Sequence, residues 1–412
     1  MNRFFYDIPQ RLRGNFILFY WDIALWGLYT GSTVVFLTVY AARAGATSEQ
    51  IGWMSAGPAI VALLASIPVG LLARRYAPKR SVVIGALIAR SLLLTYVFIP
   101  TLVPAVDRVN VVIVMTILMA IPNTFLNICF GPFFMLGIPP EWRGAVVGAR
   151  NAIMSIISFF VTLICGQLLL HLDFPTGYQV VFFIGFAGAI VTVPVLIRIK
   201  QYPAPEPPPS STPAQPVAIK RALWSRLIPN RDPAGRHYLV VLMMLFAMNA
   251  VAFMVAPLMP LFTVKQLGLD DAVISIGSAT ASILVFGVSL FVGRMARRFG
   301  NRTLTAYGVG LLCFQTVSLA FAQDATLYIV AAVIGGLASG ILMAAQYNYH
   351  LDSVPRTDQT VWISWNSALG NIAALLGSVA GPALAGLIGI PATFITLGVM
   401  RLLIGVVIYL WG

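Results

Sequence analysis

Long apolar runs separated by short polar breaks divide the chain from its first tenth to its end. Twelve are long enough to cross a bilayer as helices, which takes about 20 residues each. They cover 15–40, 51–73, 81–100, 111–137, 151–171, 178–197, 238–264, 273–293, 303–322, 327–347, 361–388 and 391–411. No run alternates with period two as a barrel strand does, so helices are predicted, with backbone polar groups satisfied inside each segment. The expected fold is an all-α membrane protein with twelve transmembrane helices. Residues 1–14 hold Arg3, Arg11 and Arg13 but no short apolar core followed by a small-residue cleavage site, and no cleaved signal peptide is expected.

Composition agrees, with 59% hydrophobic and 9% charged residues and a mean hydropathy of +0.89, far outside the soluble mixture. The formal charge of +13 is explained by topology. Of the 26 Lys and Arg residues, 21 fall in alternate segments on the side of the N-terminus. Arg43, Arg108 and Lys265 fall on the other side, and Arg90 and Arg401 lie within runs. Basic residues are retained on the cytoplasmic face, which puts both termini in the cytoplasm and calls for no nucleic-acid partner. Cys129, Cys165 and Cys313 all lie within runs and are read as packing residues. His171, His237 and His350 stand apart from acids or Cys at ligand spacing, so neither a metal site nor a cofactor is expected. No phosphate-binding loop and no His-Glu-x-x-His pair occurs, which argues against ATP-driven transport and against an enzyme.

The chain repeats itself. GLLARRYAPKR (70–80), between the second and third runs, has an echo in GRMARRFGNR (293–302), between the eighth and ninth, at an offset of 223 residues. PEWRGAVVGARN (140–151) lies opposite PRTDQTVWISWN (355–366) at an offset of 215. A Pro-rich, then basic stretch separates the halves and cannot form a packed core. The expected organisation is a six-helix bundle over 1–197, a cytoplasmic linker over 198–237 and a second six-helix bundle over 238–412.

On these motifs the chain resembles the major facilitator superfamily along essentially its whole length. That family carries a Gly-x-x-x-Asp-Arg-x-Gly-Arg-Arg-like motif between spans two and three and a weaker copy between eight and nine. Gly70, Arg75, Lys79 and Arg80 fit the first copy, and Gly293, Arg298, Gly300 and Arg302 the second. The family's Asp is replaced by Arg74 and Arg297, and Ala77 stands for a Gly. The resemblance implies two pseudo-symmetric bundles that rock about a central site, with spans one, four, seven and ten lining the cavity.

Of thirteen acids, only Asp22 lies in a run well away from a loop. An ionisable residue at the bilayer centre costs about 2.5–3.5 kcal/mol, so it is expected to face a cavity or a partner. Asp22, Trp26, Tyr29, Thr33, Phe36 and Tyr40 follow helical spacing, which puts an acid, a hydroxyl and aromatic rings on one face. Counting 223 residues on from Asp22 gives Leu245, so the acid belongs to one half only. Asp22 is the proton-coupling candidate, and Trp26, Tyr29, Thr33 and Phe36 are cavity candidates. Asn123, Asn127, Asn249, Ser339 and Gln346 are further candidates there, with interhelical hydrogen bonding as the other reading. Arg90 and Arg401 lie about 15 Å from either end of their helices. With one acid for two cations, at least one of them must use carbonyls, water or a bound anion.

The expected activity is secondary transport of a small organic molecule by alternating access, coupled to a proton and carried out by a monomer in the plasma (inner) membrane. Export of amphipathic compounds is favoured by the aromatic stripe, and uptake of an organic anion or sugar by the arginines. A lipid flippase or a non-transporting sensor on the same scaffold is the alternative class. Arg74 or Arg75 facing Asp352 or Asp358, and Arg297 or Arg298 facing Glu141, would make a cytoplasmic latch with inverted charges. The other reading of those clusters is plain topology-setting charge.

Overall fold

The computed structural model describes residues 10–73, 76–201, 233–355 and 359–411. Twelve helical segments follow the apolar runs. In the first half they are α1 (Gln10–Tyr29, a π-helical turn Thr30–Val34, then Val35–Arg43), α2 (Ser48–Ala73), α3 (Pro78–Leu92 and Leu94–Leu102), α4 (Arg108–Gly137), α5 (Pro140–His171) and α6 (Thr176–Arg198). In the second half they are α7 (Pro233–Val255, Leu258–Leu261 and a π-helical turn Phe262–Gln266), α8 (Asp271–Phe299), α9 (Asn301–Ala320), α10 (Ala325–Ser353), α11 (Gln359–Ile388) and α12 (Ile390–Trp411). Eleven are long and apolar enough to cross a membrane. The remaining one, α2, has 26 residues with Glu49 in its first turn and is of the same apolar character.

Local chemistry sets the boundaries. Pro78 and Pro140 occupy the first turns of α3 and α5, where a missing N–H costs nothing. Gly300 turns the chain between α8 and α9 at φ 80°, a conformation that favours glycine. Asp324 caps α10 by accepting from the Leu327 N–H at 2.9 Å. The boundary that differs most from the apolar pattern is the start of α5, at Pro140 rather than residue 151.

α1–α6 form one bundle and α7–α12 the other. Odd-numbered helices begin, and even-numbered helices end, at the end of the molecule that carries the basic clusters, here called the basic end; the opposite end is the distal end. The bundles join along two seams, α2 against α11 and α5 against α8. Gly52 of α2 abuts the Ser378 carbonyl of α11, and Gly166 of α5 abuts Ser275 of α8, so a Cβ at either glycine would overlap the facing chain. Small residues let membrane helices approach this closely. The expected linker falls mostly on residues outside the described ones, and its last part, from Pro233, is the start of α7.

Candidate functional site

Asp22 lies in the interior of the first bundle and is 3% exposed. Two arginines meet it from different helices. Arg150 of α5 donates from Nη2 to Asp22 Oδ2 at 3.1 Å and from Nη1 to the Phe19 carbonyl at 2.9 Å. Arg90 of α3 brings Nη2 within 3.8 Å of Asp22 Oδ1, an ion pair beyond hydrogen-bond reach. Rings complete the enclosure: Arg150 lies 5.5 Å from the Phe19 centroid and 5.3 Å from that of Phe130, and Arg90 lies 5.4 Å from that of Trp26. With Arg90 5% and Arg150 8% exposed, the cluster holds two buried cations against one buried anion.

Arg150 was missed in the sequence, where it stands at the edge of a stretch that reads as a loop. The signal was the Pro-Pro pair at 139–140. A helix starting there carries residue 150 about 15 Å inward at 1.5 Å per residue. The sequence-level balance of one acid against two membrane cations therefore becomes one against three.

Arg401 is the third, and it uses neutral partners. Its Nη1 donates to the Thr316 hydroxyl at 2.6 Å and to the Leu312 carbonyl at 3.2 Å, which ties α12 to α9. This is the carbonyl solution expected for at least one membrane arginine.

The α1 stripe divides at the π-helical turn. The Trp26 and Tyr29 rings lie 4.6 Å apart between centroids, tilted by 43°, and remain part-exposed. Contrary to the expectation of a cavity wall, Thr33 is buried against Gly185 of α6. Phe36 is likewise sealed in an apolar core with Tyr40, Tyr178 and Phe182. Asn123 is part-buried beside Arg90 and Tyr29, whereas Asn127 is exposed. The Asn249 amide donates to its own helix at Leu245 O, 2.8 Å, and Ser339 and Gln346 are part-buried on α10. The three cysteines are free and buried.

At the basic end, Arg74, Arg75 and Asp358 lie outside the described residues, as does the side chain of Glu141, and Gly70 falls within α2. Asp352 accepts from Asn301 Nδ2 at 2.6 Å within its own bundle. Gly293, Arg297, Arg298 and Gly300 are exposed, as is Arg80, and Lys79 is part-buried. Arg302 donates to the Ile408 and Tyr409 carbonyls at 3.0 and 2.5 Å, satisfying orphan acceptors at the end of α12.

The distal end carries a set of ties that sequence reasoning did not anticipate. Arg43 of α1 pairs through Nε with Asp271 Oδ1 of α8 at 2.8 Å, and its Nη2 donates to Leu269 O at 2.7 Å. The Tyr178 hydroxyl of α6 donates to the other Asp271 oxygen at 2.7 Å. Lys265 of α7 donates to Ala46 O at 2.6 Å. Val39 of α1 packs into the apolar core of the second bundle, and Leu261 of α7 into that of the first. The bundles are therefore closed on each other at this end.

Two six-helix bundles meeting along α2–α11 and α5–α8, with a charged cluster inside one of them, define the architecture of a repeat-built membrane transporter. The family model of the Major Facilitator Superfamily matches residues 22–332 and 254–412, and the chain belongs to that family. Its fold is similar to that of the D-xylose-proton symporter, with a TM-score of 0.72 at 13% identity over 97% of each chain. A mutant form of the nucleoside transporter NupG gives 0.70 at 11% identity, covering 96% of this chain and 99% of that one. A bacterial homolog of the human lysosomal transporter Spinster, solved inward-facing and unoccupied, gives 0.68 at 13% over 97% and 95%. At these identities the likeness is one of fold. No curated protein matches the chain by sequence. Secondary transport is the activity that this family and fold support.

Proposed function

We propose that the chain is a proton-coupled secondary transporter of a small organic molecule, acting as a monomer in the plasma (inner) membrane with its basic end in the cytoplasm. The observation that carries this reading is Asp22, one buried carboxylate shared between Arg150 at 3.1 Å and Arg90 at 3.8 Å. A carboxylate that takes up a proton here no longer balances either arginine, and the cluster passes from a formal charge of +1 to +2. Each protonation step thus changes how strongly α1 is held to α3 and α5. Such a change in internal attraction is what a proton must cause if it is to bias one bundle arrangement over another. Substrate binding that responds to the same charge would then be linked to the proton.

The test is flux into proteoliposomes under an imposed pH gradient. Asp22→Asn keeps the shape of the side chain and removes the titrating oxygen. It is expected to bind substrate and lose gradient-driven flux; undiminished flux would remove Asp22 from coupling. A flippase or sensor would give no gradient-driven flux of any soluble compound in the wild-type protein.

The two substrate classes read from the sequence now stand differently. The aromatic stripe that favoured amphipathic compounds has lost Phe36 to core packing, while the site has gained a buried arginine.

A further inference from the structure

The charge cluster leaves part of Arg90 unused. Among the described residues, its Nε and Nη1 have no hydrogen-bond partner and its one ionic contact is at 3.8 Å. The residue is 5% exposed, so solvent does not take these N–H groups over. A buried donor left unmatched costs about 1–3 kcal/mol, more when it is charged. Arg150, by contrast, spends both terminal nitrogens on Asp22 and the Phe19 carbonyl, and Arg401 is held by the Thr316 hydroxyl and the Leu312 carbonyl.

Arg90 also forms one wall of a small cavity between α1, α3 and α4, about 10 Å³ in volume, where Trp26, Tyr29 and Asn123 form other walls. That volume holds about one water. Trp26, Tyr29 and Asn123 are part-exposed, and Trp26 and Tyr29 also pack against the bundle core, so admitting a group larger than water requires this rim to move. The cavity thus brings together an unmatched guanidinium, a carboxamide that can donate and two aromatic rings, with Ala89, Leu93, Met119 and Leu126 as its apolar lining. No acid other than Asp22 faces Arg90 among the described residues, and Arg150 already engages that acid.

We propose that this pocket seats the acid group of an organic anion, a carboxylate or a phosphate, on the free N–H groups of Arg90. Asn123 supplies a further donor, and the Trp26–Tyr29 pair forms a wall for the remainder of the molecule. A carboxylate brings the cluster's formal charge of +1 to neutrality and a phosphate, which carries about −1.5 to −2, overcompensates it, whereas a neutral substrate leaves it uncompensated. This rests on the transporter reading above and names its substrate class as organic anions.

The experiment is equilibrium binding to the full-length protein in detergent at one fixed pH, without a gradient, so that failure of proton coupling leaves its result standing. Melting temperature is followed while acetate, benzoate, phenyl phosphate or the neutral isostere benzamide is titrated. Benzoate or phenyl phosphate is expected to raise it saturably and benzamide not, and the tighter of the two identifies the acid group. Arg90→Gln is expected to weaken binding at least tenfold, about 1.4 kcal/mol, whereas Arg401→Gln, which removes an equally buried cation, leaves it unchanged. Should Arg90→Gln not fold, Asn123→Leu on the same wall is expected to weaken benzoate binding several-fold. Equal responses to benzoate and benzamide, no response to any anion, or undiminished binding in Arg90→Gln would overturn the proposal. So would undiminished binding in Asn123→Leu.

Discussion

The two bundles each bury arginine in the membrane interior, and they do so in opposite ways. In the second bundle, Arg401 rests on a hydroxyl and a carbonyl and has no acid beside it among the described residues. In the first, Arg90 and Arg150 converge on a single carboxylate from two helices. Neutral acceptors hold a cation in a fixed way, because neither partner gains or loses a proton in the working pH range. A shared carboxylate makes the balance conditional. On the proposed reading the difference separates a brace from a device, and it rests on the partners of each arginine.

That comparison breaks most sharply at Asp22. Asp22→Leu strands two buried guanidinium groups and is expected to cost about 3–5 kcal/mol, read as a large fall in melting temperature or loss of the monodisperse peak on size-exclusion chromatography. A second change sharpens the point. Adding Arg150→Leu removes the stranded partner that was closest and is expected to restore much of the loss, since an apolar replacement of a whole buried pair is often neutral. Adding Arg401→Leu instead is expected to restore nothing, and recovery there would show that the two bundles are electrically connected.

Arg401→Leu alone is expected to cost about 1–3 kcal/mol, the loss of hydrogen bonds from a charged donor. Neither acceptor is stranded by it, because the Thr316 hydroxyl also donates to Leu312 O at 2.7 Å. Transport at the wild-type rate in this variant, measured in proteoliposomes, is the expected outcome; a collapse of flux with retained folding would make Arg401 more than a brace. The smallest effect is expected at the distal end. Tyr178→Phe removes one hydrogen bond to the Asp271 carboxylate, about 1.5 kcal/mol, the low end for a charged acceptor because Arg43 still pairs with it. Spin-label distances between the distal ends of α1 and α8 should show a modest gain in the open population, and an unchanged distribution would mean that the remaining ties of Arg43, Lys265, Val39 and Leu261 hold that end without Tyr178.

Much of the fold was legible because lipid imposes one rule along the whole chain: long apolar runs bounded by charge. The start of α5 escaped that rule, since Glu141, Arg143 and Arg150 dilute the apolar signal exactly where Pro140 had already begun the helix. In the candidate site, Asp22 is buried against two arginines, Trp26 and Tyr29 line a small cavity with Arg90, and Thr33 and Phe36 are packed away from it. The α1 stripe was extrapolated at 3.6 residues per turn, and the π-helical turn at Thr30–Val34 holds more residues per turn. Beyond it Phe36 and Tyr40 pack with Tyr178 and Phe182 of α6, while Val39 enters the core of the second bundle. Thr162 of α5 donates to the Gly31 carbonyl at 2.9 Å within that turn, a contact between residues 131 apart that no local pattern encodes. The distal ties were illegible for the same reason, but a trace of them was present. Basic residues are scarce at that end, and all three that occur there have work: Arg43 and Lys265 join the bundles, and Arg108 donates to Val103 O at 3.1 Å at the end of α3. A cation that defies the topological bias is worth asking about individually.

The glycine seams bear on how far such a chain can drift. At Gly52 and Gly166 the bundles touch through backbone and small side chains, so the joint depends on what is missing from each helix more than on what is present. Lipid-facing positions accept any of several apolar residues, and the seams accept any residue that is small enough. Neither requirement names a particular amino acid. A sequence under those rules can exchange most of its letters over evolutionary time and still close into the same two bundles, which is how chains only 11–13% identical to this one superpose on it at TM-scores near 0.7.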